Sequence, residues 1–165
     1  MIPSAPDPQV AEIINKHLFL GSQDAAVNVE DLDKNNIKYI LNVAFGIPNA
    51  FPEKYQYKNV EILDVDESPI TNIFQECFEF INLAKEKDCG VLVHWYFLIY
   101  KFYSILINNN RSNAGVSRSA SVVIGYLMKH LSLGFNDAYN FTKERRSKIK
   151  PNPGFIEQLK KYKPN

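Results

Sequence analysis

A loop of small residues around Gly115 holds the residue types that could carry out chemistry. The stretch SNAGVSRSA, at residues 112–120, places a glycine, serines and Arg118 just before an apolar run that is typical of a helix. Successive backbone N–H groups in such a turn point inward, and a helix start adds partial positive charge. Arg118 would add a planar fork of donors that matches two phosphate oxygens. The loop therefore predicts a phosphate site. A loop without a ligand, in which the arginine is solvated, could have the same residue types.

Alternating strand-like and helix-like segments must position this loop. The segment GVLV at residues 90–93 is typical of a buried strand, and a helix is predicted from about Arg118 to Leu131. The other predicted elements are strands at residues 17–22, 39–44 and 59–65 and helices at residues 29–37, 72–87, 135–149 and 151–162. Strands that alternate with helices and then give way to helices indicate an α/β sheet flanked by helices.

Length and composition limit the function classes. A chain of 165 residues with 45% hydrophobic and 22% charged residues suits one globular domain. A formal net charge of +1 disfavours nucleic acid as a partner. The apolar run at residues 95–107 is shorter than the roughly 20 residues that span a bilayer, so no membrane partner is expected. Two cysteines without metal-ligand spacing and no visible signal peptide favour a reducing compartment, and we expect a cytoplasmic or also nuclear location.

Two halves of a known signature stand on either side of that apolar run. Residues 91–94 read VLVH and residues 113–119 read NAGVSRS. The cysteine-dependent protein tyrosine phosphatases carry His-Cys, five residues, then Arg and Ser or Thr, and their dual-specificity branch often reads Val-Leu-Val-His-Cys before Ala-Gly-Val-Ser-Arg-Ser. Over roughly residues 12–162 the chain resembles the small atypical members of this branch, most of all one that regulates a stress-activated protein kinase pathway. Further matching segments are LFLGSQDAA, YILNVAFGIPNAF, ECFEFI and PNPGFIEQL.

The resemblance implies a fold and a substrate class. It implies a single dual-specificity phosphatase domain at residues 12–162 behind a flexible lead at residues 1–11, with a central, mostly parallel sheet flanked by helices. The phosphate-binding loop would lie between a strand and a helix. Substrates would be proteins phosphorylated on tyrosine, serine or threonine, with components of a stress-activated kinase pathway as candidates. No metal and no organic cofactor are implied.

The resemblance also implies a role for individual residues. Asp64 matches the general acid of the family, since it stands 17 positions before Ile81 of FEFI. Asp66 is an alternative acid, and both could instead be ordinary loop carboxylates. Ser119 matches the hydroxyl that helps the thiolate leave. The phosphate would be held by the Arg118 fork and by the loop amides of Asn113, Ala114, Gly115, Val116, Ser117 and Arg118.

The chain departs from the family at the nucleophile. Residues 95–112 separate the two half-signatures, so that Ser112 stands where the family has cysteine and His94 lies 18 residues upstream of it. A serine hydroxyl ionises far less readily than a thiol, and no adjacent base is evident. Neither Cys77 nor Cys89 has an arginine six positions later. We therefore predict that the chain as written is inactive or nearly so.

Residues 95–112 have two interpretations. A true insertion, which we expect to be poorly ordered from about residue 96 to 110, would make a catalytically dead phosphoprotein-binding protein or scaffold. Alternatively, the segment translates a retained intron. Trp95 is encoded by TGG and Tyr96 begins TA, which contains the GT of an intron start, whereas Ser112 can begin AG, the usual intron end. Removing that span leaves TG joined to T or C, which is a cysteine codon, and restores VLVHCNAGVSRSA.

Three functions follow from these interpretations. The first is a dual-specificity protein phosphatase in the spliced form, and the second is the catalytically dead binding protein as written. The third is a phosphatase that acts on RNA 5′-phosphates or lipids, since relatives use the same signature on other phosphate esters, although near-neutral charge disfavours RNA.

The retained-intron hypothesis predicts a shorter transcript. Eighteen codons would become one, so that 17 codons, or 51 bases, are removed without a change of frame. Sequencing the messenger RNA across this junction should find molecules that encode cysteine directly between His94 and Asn113. A uniform population that keeps the 51 bases would contradict the hypothesis and leave the insertion as the explanation.

Overall fold

Strands and helices alternate in the first part of the chain and helices follow in the second. The computed structural model describes residues 8–44, 46, 48–95 and 116–164. Within these ranges the elements are β1 (Ala11–Ile14), β2 (Leu18–Leu20), α1 (Gln23–Ala26), α2 (Val29–Lys34), β3 (Ile37–Asn42), β4 (Gln56–Asn59), a 3-10 helix (Ile70–Ile73), α3 (Phe74–Glu86), β5 (Gly90–His94), α4 (Arg118–His130), α5 (Phe135–Arg145) and α6 (Pro153–Lys161). Within the same ranges, no helix is long and apolar enough to cross a bilayer.

The sheet has the order β1-β2-β5-β3-β4, with β5 in the middle. Strand β1 is antiparallel to β2, and the other pairs are parallel. Val93 of β5 pairs with Leu20 on one side and Leu41 on the other. The carboxyl ends of three neighbouring parallel strands therefore meet at one edge, where α/β proteins usually bind their ligands. The predicted fold, a mostly parallel sheet flanked by helices, is confirmed.

Helix α4 is the element that presents Arg118, and it is buried over almost its whole length. Every residue from Arg118 to Met128 is buried. It packs against α3, α5 and α6 and against the sheet strands β2 and β5. A helix that is covered on all sides has few ways to shift, so its first residue has a well-defined position at the strand edge.

One predicted element is wrong, and two short elements, β1 and α1, have no predicted counterpart. The strand predicted at residues 59–65 is instead β4, which ends at Asn59, and residues 61–64 have no regular structure. Val60 and Ile62 are nevertheless buried, so an extended chain without a pairing partner produces the alternation that suggested a strand. Strand β1 has no counterpart among the predicted elements and begins at Ala11, the last residue of the expected lead.

Part of the sequence-based interpretation falls outside the described residues. These include residues 96–110, for which poor order is expected, and the first half of the predicted phosphate loop at residues 112–115. The second half of that loop, from Val116 onward, is described.

The loop that carries Asp64 and Asp66 is held against α6. Gln158 donates from Nε2 to the Ser68 carbonyl at 2.8 Å and accepts from Ile70 N–H at 3.0 Å. Gly154, in the first turn of α6, lies so close that an added Cβ would overlap the backbone carbonyl of Asp66. The loop and the helix therefore form one packed unit, and the approach requires the absence of a side chain at residue 154.

Replacing Gly154 with alanine should destabilise the domain. The overlap involves backbone atoms, which cannot rotate away, so we expect the free energy of unfolding to fall by about 1–3 kcal/mol, as for other overpacked sites. Gly134→Ala is the matched control, because its Cβ would meet nothing nearer than Asp137 Oδ2 at 3.7 Å. Urea unfolding of the three chains measures the difference, and equal stability of the two variants would contradict the contact.

Candidate functional site

The candidate site lies where β5 ends and α4 begins. His94 closes β5 and Arg118 opens α4, so the predicted phosphate loop connects the central strand to the central helix. The predicted nucleophile position Ser112 and the predicted phosphate-binding residues Asn113 to Gly115 lie outside the described residues, whereas Val116 to Ser119 are described. The site can therefore be built from the Val116–Ser119 side and from the loop that carries Asp64.

Arg118 is a buried cation at a helix N-terminus. Its side chain is only 7% exposed, Nη1 donates to the Ile62 carbonyl at 3.0 Å, and Nε lies 3.9 Å from Asp64 Oδ2. Burial lowers the pKa of the guanidinium, and the carboxylate of Asp64 opposes this effect. The group remains charged, since guanidinium does not lose its proton in proteins. Its charge adds to the partial positive charge of the α4 N-terminus, so the local field favours an anion.

The structure brings Asp64, rather than Asp66, to Arg118. Asp64 has a side chain that is 13% exposed, whereas Asp66 is exposed and accepts from Gly154 N–H at 3.4 Å. Of the two candidate acids from the sequence, only Asp64 therefore lies in a partly desolvated position next to the cation, among the residues that the structure describes.

Three hydrogen bonds connect Asp64, Ser117 and Asn152. Asp64 Oδ1 accepts from Ser117 Oγ at 2.8 Å and from Asn152 Nδ2 at 2.7 Å, and Asn152 N–H donates to Ser117 Oγ at 2.9 Å. The Lys150 N–H also donates to the Val116 carbonyl at 2.9 Å. The end of the phosphate loop, the acid loop and the start of α6 are thereby joined at one point.

Asn152 has no role in the sequence-based prediction, yet it contacts the predicted acid directly. The sequence does indicate its role as a helix cap, because an asparagine followed by proline is typical of a helix start. Asn152 caps α6 by accepting from Phe155 N–H at 2.8 Å. Its contact with Asp64 spans 88 positions of sequence, and no local pattern reveals such a contact.

Ser119 is completely buried in the first turn of α4. Its Oγ has no hydrogen-bond partner within the described part of the chain. A buried hydroxyl without a partner is costly, so a group that accepts from it gains affinity at this position. The predicted role of Ser119, donation to a sulfur that leaves, would supply such an acceptor.

Neither described cysteine can replace the missing nucleophile. Cys77 is fully buried in α3, where burial raises the pKa of its thiol to about 12, so it stays protonated at neutral pH. It packs in the main apolar core. Cys89 precedes β5 at the opposite end of the strand from His94, and its Sγ donates to the Lys87 carbonyl at 3.2 Å.

The family model of the dual specificity phosphatase catalytic domain matches residues 18–95 and 104–165 of this chain. Mouse dual specificity protein phosphatase 19 is 47% identical over 150 residues, which are 91% of this chain and 60% of that protein. Dual specificity protein phosphatase 1B of Arabidopsis thaliana is 36% identical over 149 residues, which are 90% of this chain and 79% of that protein. The chain thus spans about three fifths of the mouse relative's length.

Solved structures superpose on nearly the whole of this chain. Human DUSP28 superposes with a TM-score of 0.78 at 26% identity and covers 96% of this chain and 94% of its own. A human tyrosine phosphatase-like serine/threonine/tyrosine-interacting protein superposes with a TM-score of 0.75 at 31% identity, covering 93% and 94%. The resemblance that the two half-signatures indicate is confirmed by these matches.

His94 should make stability depend on pH. Burial lowers the pKa of its imidazole from 6.5 to about 4, while a contact of Nδ1 with the Trp95 carbonyl at 3.3 Å opposes this. Between pH 6.5 and about 4 the unfolded chain therefore binds a proton that the folded chain does not. Stability attributable to His94 is complete above pH 6.5 and falls as the pH drops to about 4, by up to about 3 kcal/mol.

Urea unfolding of the parent chain and of His94→Gln at pH 7.5 and pH 4.5 measures this effect. The variant should lose less stability between the two pH values than the parent, whatever its stability at pH 7.5. His130→Gln is the comparison: burial also lowers the pKa of the His130 imidazole, but this residue is exposed and stacks on Tyr126 far along α4, so its substitution should change the pH dependence less than that of His94. An equal loss in the parent and in His94→Gln would show that His94 is not the group responsible.

Proposed function

The chain belongs to the dual specificity phosphatase catalytic-domain family, and on that premise we propose that its spliced form, in which one cysteine replaces residues 95–112, hydrolyses phosphate esters on proteins. The chain as written, with Ser112 at the nucleophile position, binds phosphate without turnover. The observation that carries this proposal is the buried Asp64–Arg118 contact, 3.9 Å from Oδ2 to Nε, at the N-terminus of α4. It combines a proton donor with a cation beside an anion-binding helix end.

The reaction takes place in two steps. In the first, the cysteine thiolate attacks phosphorus, the bond from phosphorus to the substrate oxygen breaks, and Asp64 gives its proton to that oxygen. In the second, water attacks the phosphocysteine, Asp64 takes a proton from the water, and the thiolate leaves with Ser119 donating to the sulfur. Arg118 and the loop amides hold the phosphate oxygens, whose charge spreads in each transition state.

Two features support the spliced form. The family model leaves residues 96–103 unmatched, within the segment that the codon arithmetic removes. The described elements on both sides of the segment, β5 and α4, have the strand-to-helix arrangement that a phosphate loop requires. By resemblance, we propose phosphoproteins of a stress-activated kinase pathway as substrates.

Turnover of an aryl phosphate by the two forms tests the proposal. We expect the spliced form to be active and the chain as written to stay at background. In the spliced form, Asp64→Asn should lower kcat about 10²- to 10⁴-fold, since a positioned acid typically contributes that much. Asp66→Asn is the matched control and should change kcat less than about threefold, because Asp66 is exposed.

Absence of turnover in both forms would defeat the enzymatic proposal. A larger loss for Asp66→Asn than for Asp64→Asn would show that the acid is assigned to the wrong carboxylate. Including phosphopeptide, phospholipid and 5′-phosphorylated RNA among the substrates would identify the chemical class, and a preference for lipid or RNA would contradict the protein substrate.

A phosphoprotein-binding protein without turnover is the second candidate. It is supported by the 31% identity to a human protein whose name describes it as phosphatase-like and interacting. In this case the chain as written would bind a phosphopeptide through the α4 N-terminus and Arg118, and Arg118→Ala would abolish the binding in an isothermal titration. Unchanged binding by Arg118→Ala would exclude this use of the site.

A further inference from the structure

We propose that Asn152 is a positioning residue that orients the acid Asp64, in addition to capping α6. The inference rests on the proposed function, since it specifies how the acid of that reaction is held. Asn152 makes contacts on two sides: Nδ2 donates to Asp64 Oδ1 at 2.7 Å and the backbone N–H donates to Ser117 Oγ at 2.9 Å, whereas Oδ1 accepts from Phe155 N–H at 2.8 Å within α6.

The two oxygens of the Asp64 carboxyl group have different surroundings. Oδ1 accepts two short hydrogen bonds, from Asn152 Nδ2 and from Ser117 Oγ at 2.8 Å. A proton on Oδ1 would compete with these donors for the lone pairs of that oxygen, because a carboxyl oxygen offers only about two such sites. The acid therefore carries its proton on Oδ2.

Oδ2 is also the oxygen that faces the reaction. It lies 3.9 Å from Arg118 Nε, and Arg118 is the side chain that holds the phosphate in the proposed mechanism. A proton on Oδ2 thus lies on the side where the leaving oxygen would be. Without the Asn152 donor, Ser117 Oγ would be the remaining one of the two donors to Oδ1, so the carboxyl group would rotate more readily about its Cβ–Cγ bond and the protonated oxygen would face the phosphate for less of the time.

Helix α6 provides a rigid support for this contact. Gln158 bonds to both Ser68 and Ile70, and Gly154 packs on the carbonyl of Asp66, so α6 also holds the part of the loop that follows Asp64. Phe155 and Leu159, which anchor the helix in the core, are fully buried. The carboxyl group is therefore positioned before a substrate arrives, which lowers the entropic cost of reaching the transition state.

Asn152→Ser in the spliced form separates positioning from capping. Serine is a good N-cap, so α6 keeps an acceptor for Phe155 N–H but loses the Nδ2 donor to Asp64. We expect kcat for phenyl phosphate, a poor leaving group that needs the acid, to fall about 10-fold with little change in KM. For 2,4-dinitrophenyl phosphate, whose leaving group needs no proton, kcat should change less than about threefold.

Asn28→Ser is the matched control. Asn28 caps α2 by accepting from Asp31 N–H at 3.3 Å, and its Nδ2 donates to the Asp31 carboxylate at 2.8 Å. Asn28→Ser removes the same side-chain amide, with its donor and its acceptor, at a helix outside the site. This variant should therefore turn over both substrates at the rates of the unsubstituted spliced form. Equal losses for the two substrates in Asn152→Ser, or no loss for either, would overturn the positioning role.

A second measurement does not depend on turnover. In the chain as written, the side-chain amide signals of Asn152 in a ¹H–¹⁵N spectrum should shift as Asp64 is protonated in acid, and this pH dependence should disappear in Asp64→Asn. If the pH dependence of the Asn152 side-chain amide signals were the same in Asp64→Asn as in the parent chain, the inference would be overturned. An inactive spliced form with these shifts present would instead defeat the proposed function and leave the contact established.

Discussion

Burying a guanidinium next to a helix N-terminus costs free energy, and the candidate site is organised around the groups that offset this cost. Desolvation disfavours the charge of Arg118, and the partial positive charge of the α4 N-terminus adds to the penalty. The Ile62 carbonyl and the Asp64 carboxylate compensate part of it. Under the proposed function, the same cation that holds the acid loop in place would also attract the phosphate of a substrate.

The acid loop depends on this interaction from one side and on α6 from the other. Asp64 contacts Arg118 and Ser117 on the side of α4, and Asn152 on the side of α6. Each contact joins segments that are more than 50 positions apart in the sequence, so the site exists only when the sheet, α4 and α6 have packed together. The stability of the core and the geometry of the acid are thereby coupled.

Fold and catalysis depend on different parts of this chain. The described sheet and helices have the arrangement of the family although residues 95–112 interrupt the signature, because the arrangement rests on buried apolar residues of β5 and α4 on either side. In the proposed mechanism, by contrast, turnover needs one ionisable sulfur at a single position, and the proposed lack of turnover in the chain as written follows from the serine there. The buried residues of the described sheet and helices, on which the fold rests, lie outside residues 95–112.

Much of the fold could be read from local patterns in the sequence. The apolar run at residues 90–93 and the long helix from Arg118 were predictable, since burial and periodicity are local properties. Residues 59–65 were misleading because burial alternates there without a strand partner, and β1 is too short to show a pattern. Predicted and observed helix ends differ by one to four residues, most at the end of α5, because capping and packing rather than periodicity set where a helix stops.

The residue types of the candidate site could be read from the sequence: the half-signatures, Arg118, Asp64 as the favoured of two acids, and a serine where the family has cysteine. The contact of Asp64 with Arg118 and the hydrogen bond from Asn152 to its carboxyl group arise only on folding. The physical reason is that hydrogen bonds and ion pairs act over a few ångströms in space, whereas their partners here are separated by 54 and 88 positions along the chain.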